Sequence, residues 1–132
     1  MHYPITRARP GDVVAVNFGL YEHVGILSDG RDWRTNQPLV FSATRRHGCV
    51  AEEPLAAFAQ GRGVASRGFP GRLPRATVLA RARALVGRRW HLFFDNCEHF
   101  VRQAHGLRRE SPQLQAAGAL MVVSLAIAAN TE

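Results

Sequence analysis

The first half of the chain alternates short apolar runs with turn residues, and the second half carries apolar residues at helical spacing. Val13-Val14-Ala15-Val16 follows the turn Arg9-Pro10-Gly11-Asp12 and predicts a strand. Tyr21 to Leu27 predicts a second strand, closed by the turn chemistry of Ser28-Asp29-Gly30. Arg31 to Pro38 is a polar excursion, after which Leu39-Val40-Phe41-Ser42 resumes strand character. Beyond the basic loop Ala43 to Gly48, Cys49 to Glu53 is expected to add another strand. Pro54 to Gln60 places Leu55 and Phe58 three apart, which predicts one or two helical turns closed by Gly61. Gly61 to Pro74, rich in glycine and proline, is expected to be loop.

From Arg75 to Val86 the residues Val78, Leu79, Ala82, Leu85 and Val86 recur at helical spacing, with Gly87 as the stop. A further helix is expected from Cys97 to about His105, ended by Gly106, and a last one from Gln113 to Ala129. That last segment has no charge between Ala116 and Ala129, and residues 118–127 are apolar on every helical face. It is shorter than the ~20 residues that cross a bilayer core, so membrane-surface contact or self-association through 113–129 is the expectation.

Composition narrows the class. The 132 residues suit one domain, expected over 9–106 with 107–132 as an apolar helical appendage, and 46% hydrophobic content argues against disorder over most of the length. The charge is less ordinary: every one of the 17 basic residues is arginine, against 10 acids, giving +7. Guanidinium favours phosphate and carboxylate partners, yet the arginines are scattered and not interleaved with aromatics, so no specific nucleic-acid site is expected. Cys49 and Cys97 form neither a disulfide framework nor a zinc-ligand spacing, and no cofactor or metal is expected. Without an apolar core in the first ten residues for a signal peptide, a cytoplasmic location is expected, with membrane association through the appendage as the variant.

The candidate chemistry sits at Cys97. The apolar run Leu92-Phe93-Phe94 meets the polar turn Asp95-Asn96, and Cys97 then opens a helix. First-turn N–H groups lack intrahelical partners and the dipole is positive there, so a thiolate is stabilised at that point. His23, at the start of a strand, is the candidate base. A third group on the neighbouring strand should orient the ring; Ser42 is the first candidate, ahead of Asn36 and His47. Blander readings apply elsewhere: Cys49 as a small buried or half-buried hydrophobe, Glu52-Glu53 as a solvated or helix-start pair, and His99 as structural because it points about 200° away from Cys97.

Asn96-Cys97-Glu98-His99-Phe100 resembles the signature of the lecithin:retinol acyltransferase-like family, within the circularly permuted papain-like thiol enzymes that include NlpC-type peptidases. Pro10-Gly11-Asp12 before a strand, and Tyr21-Glu22-His23 leading the next, look like that family's opening block. The resemblance implies an α+β, permuted papain-like fold: a small antiparallel sheet packed on helices, with the nucleophile at a helix N-terminus. It implies Cys97 as nucleophile, His23 as general base, and Tyr21 beside a first-turn N–H as oxyanion donors. The family's animal enzymes carry a second histidine where Ser42 stands. The implied activity is acyl transfer or hydrolysis through a thioester, on phospholipid or another acyl-lipid ester. The alternatives are an NlpC-type amidase or peptidase, and a non-catalytic binding module on the same scaffold.

Overall fold

In a computed structural model of the chain, the described residues are 3–4, 7–44, 46–89 and 97–107. The expected last helix, 113–129, lies outside them, as does the run 90–96. Among the described residues the element order is β1 (Tyr3–Pro4), β2 (Val13–Asn17), β3 (Glu22–Arg31), β4 (Pro38–Thr44), β5 (Cys49–Pro54), α1 (Leu55–Ala59), β6 (Ala65–Gly68), α2 (Arg75–Leu85) and α3 (Cys97–Ala104). All strand pairings are antiparallel, and the sheet order is β1-β6-β2-β3-β4-β5. This is the α+β class expected from the sequence.

Two differences from the expectation stand out. The second strand runs past Ser28-Asp29-Gly30 to Arg31, because an irregularity between Leu27 and Arg31 lets it keep pairing with β4. Part of the expected loop 61–74 is strand β6, which pairs with β2 at Ala15↔Ala65 and Val14↔Ser66.

Strand alternation sends side chains to two covered faces. On one, Val13, Ala15, Val24, Ile26, Phe41, Ala43 and Val50 pack against Val78, Leu79 and Ala82 of α2 and Cys97, Phe100, Val101 and Ala104 of α3. On the other, Val14, Val16, Leu27 and Val40 pack around Phe58 of α1, with Phe18, Leu55 and Val64 at the margin. Gly25 is what lets α1 approach: a Cβ there would stand 2.6 Å from the Phe41 carbonyl oxygen and 3.0 Å from the Phe58 ring.

The helical layer is tied to the sheet by buried polar contacts. Asp12 accepts from the Arg9 N–H at 2.9 Å and from Arg75 Nη1 at 2.7 Å, joining the start of β2 to the start of α2. His105, past the end of α3, donates from Nε2 to the Gly11 carbonyl at 2.9 Å and lies edge-on to Phe69. Beyond α2, the chain runs along β5: the Gly87 N–H donates to the Val50 carbonyl and the Val50 N–H to the Arg88 carbonyl, both at 2.8 Å, while Arg89 bridges Cys49.

Candidate active site

Cys97 is the first residue of α3 and is buried. It sits among the apolar residues between α3 and the sheet, on the face that carries Val24 and Ile26. Glu98 follows in the first turn and Arg102 lies in the last, each sign complementing its end of the helix dipole.

His23 lies one residue before Val24 on β3, opposite Val16 of β2. Its ring centroid is 5.0 Å from that of Phe58 and 6.2 Å from that of Phe18, which places it on the α1 face. Nε2 is buried without a hydrogen-bond partner. Burial lowers the pKa from 6.5 to about 4; the Glu53 charge opposes that shift and Arg46 adds to it. The imidazole is therefore neutral at pH 7 and free to accept a proton through a ring nitrogen.

Ser42 is on β4, the strand beside β3, as the sequence led one to expect. It follows Phe41, which faces α3, and so points to the same face as His23; it is fully buried and its Oγ has no hydrogen-bond partner. Tyr21 stacks on Phe18 at 5.6 Å, in the loop that delivers β3. Asn36 stands in the β3–β4 turn, at the far end of β3 from His23, and its carbonyl accepts from Arg31.

The structure thus brings His23 and Ser42 to one face and leaves Cys97 on the other. The expectation of sulfur and imidazole converging in one cleft is not met in this arrangement. The reason is parity: α3 packs on the Val24–Ile26 side of β3, and a one-residue offset sends His23 through to the α1 side.

The sequence reading also missed a polar cluster beside His23. Glu53, expected to be solvated, is buried on β5 opposite Val40 and holds Arg46 at 2.9 Å and His47 at 2.7 Å. Burial alone would raise its carboxyl pKa, but hydrogen bonds from Arg46 and His47 overcome this and hold it below the ordinary value. The signal available in the sequence was the two-residue strand period, which puts Glu53 and Ala51 on one face.

A family model for lecithin retinol acyltransferase matches residues 6–106. The chain belongs to the lecithin retinol acyltransferase family. The match takes in β2 through α3, with His23, Ser42 and Cys97 inside it. No individual curated protein matches the chain. Acyltransfer and thiol-enzyme chemistry are what this family generally carries. Among the described residues, no helix is long and apolar enough to cross a membrane.

Proposed function

We propose that this member of the lecithin retinol acyltransferase family is a cysteine-dependent acyltransferase or hydrolase, acting on a phospholipid or other acyl ester through a thioester on Cys97. The observation that carries the reading is the position of Cys97 as the first residue of α3, inside the family match. There the dipole and the first-turn N–H groups favour thiolate over thiol. A base takes the thiol proton, the thiolate attacks the ester carbonyl carbon, a first-turn N–H holds the tetrahedral oxyanion, and the C–O bond breaks as the base returns that proton to the leaving alkoxide, releasing the alcohol. Water, an alcohol or an amine then attacks the thioester and restores the thiol. The same thiolate would attack an amide, which is the NlpC-type variant of the reading.

His23 is proposed as the base on the family motif, with Ser42 as its orienting partner and Tyr21 as an oxyanion donor. A base must come within about 3 Å of the proton it takes. With His23 on the α1 face and Cys97 on the other, that role requires His23 to change faces, as a one-residue shift of β3 would do. This separation, together with a hydroxyl at the third position, favours a second reading: a binding module that keeps the scaffold without turnover.

Mass spectrometry of the intact protein after exposure to a phospholipid mixture separates the two. An acyl adduct that maps to Cys97 and is lost in Cys97→Ala is the expected result; no adduct, or one that persists in Cys97→Ala, overturns the enzyme reading. Alkylation across pH should give a thiol pKa below the ordinary value of about 8.5. Should His23→Ala leave that value and the adduct yield unchanged, His23 is not the base.

A further inference from the structure

The β3–β4 turn, 32–37, holds Trp33 out of the fold with 89% of its surface exposed. The turn itself is closely bonded. The Asp32 N–H donates to the Gln37 carbonyl and the Asp32 carbonyl accepts from the Asn36 N–H, both at 2.8 Å. The Asp32 carboxylate accepts from the Thr35 N–H at 2.9 Å and the Thr35 hydroxyl at 2.7 Å. Arg31 Nη1 donates to the Asn36 carbonyl at 2.7 Å. Six residues are thus locked around an exposed indole, with the Arg34 guanidinium 5.7 Å above its ring.

The local charge has one sign left over. Asp32 keeps its charge, with Arg34 acting on it, and Asp29 is paired with Arg83 at 2.7 Å, so residues 31–37 carry two arginines against one carboxylate. Among the described residues, neither Arg31 nor Arg34 has a carboxylate within salt-bridge distance. An exposed indole beside a net positive charge suits a bilayer interface, where the ring sits at headgroup depth and the cations meet lipid phosphates. Because the turn is already ordered, insertion costs little further conformational entropy.

We infer that the Asp32–Gln37 turn docks the protein on an anionic lipid surface, with Trp33 inserted among the headgroups and Arg31 and Arg34 on their phosphates. This contact lies on described residues at a sheet end and does not depend on the thiol chemistry of Cys97 or on the segment 113–129.

The chain has two tryptophans, so Trp90→Phe leaves Trp33 as its sole indole reporter. With vesicles of phosphatidylcholine and phosphatidylglycerol, its emission should move to the blue and be quenched by brominated acyl chains. Trp33→Ala in the natural chain should bind the same vesicles about tenfold more weakly. Arg31→Gln with Arg34→Gln should reduce the preference for phosphatidylglycerol over pure phosphatidylcholine. Vesicle binding with no change in Trp33 emission, no vesicle binding at all, or an emission shift given by an oligonucleotide and not by vesicles would each overturn the inference. Cys97 adduct formation in detergent reads the proposed function separately, so either can fail while the other stands.

Discussion

Replacing His23 by phenylalanine measures how strongly the fold depends on a neutral imidazole. Phenylalanine keeps a ring between Phe18 and Phe58 while removing a titrating group whose Nε2 has no partner. The ring takes its proton near 6.5 when unfolded but only near 4 in the fold, chiefly because of burial. Protons therefore bind the unfolded chain more readily, so the stability this neutral ring supports is complete above pH 6.5 and is lost as pH falls toward 4. The linkage amounts to about 2 kcal/mol at pH 5 and ~3 kcal/mol at pH 4. Against a typical total of 5–15 kcal/mol, roughly, such a loss is easily measured. Urea unfolding at pH 7.5 and pH 5 is the assay: with a slope of about 2 kcal/mol/M, His23 alone should lower the midpoint by ~1 M. His105, also held neutral chiefly by burial, adds to the drop in both proteins. The His23→Phe midpoint should accordingly fall by ~1 M less than that of the natural chain. Equal drops in the two proteins would refute the reasoning.

Other changes probe the same face. Gly25→Ala would set a Cβ 2.6 Å from a carbonyl oxygen of β4, where backbone cannot give way, and thermal unfolding should register a loss of about 2–3 kcal/mol. Phe58→Ala removes the ring at the centre of the α1-side core and should cost about 3–5 kcal/mol in urea titrations. In Glu53→Gln the negative charge that raises the His23 pKa is gone, so His23 should titrate at lower pH than in the natural chain by proton NMR; an upward move would count against the assigned cause.

Much of this architecture was legible in the chain. The apolar spacing of Val78, Leu79 and Ala82 fixed the buried face of α2, and β2, β4 and β5 fell within a residue or two of their expected bounds. Strand β6 was not legible: Ala65-Ser66-Arg67-Gly68 lies amid glycines and holds its place by pairing with β2, some fifty residues upstream, which no local pattern encodes. The chain's family was also readable, from the residues around Cys97 and His23. The faces of Cys97 and His23 were not. Val13-Val14-Ala15-Val16 is apolar at every position because both sides of β2 are covered, so alternation gave no preference for where α3 would settle.

The run from Gly87 to Arg89 along β5 has a consequence for how the molecule behaves in company. An outermost strand ordinarily presents a row of unmet donors and acceptors on which a second polypeptide can assemble into fibrils. Here Val50 already exchanges both of its backbone hydrogen bonds with the chain that leaves α2. At the opposite margin β1 is only two residues long and ends in a proline. Both borders thus offer a stray strand less to template on, at Cys49 and Val50 on one side and at β1 on the other.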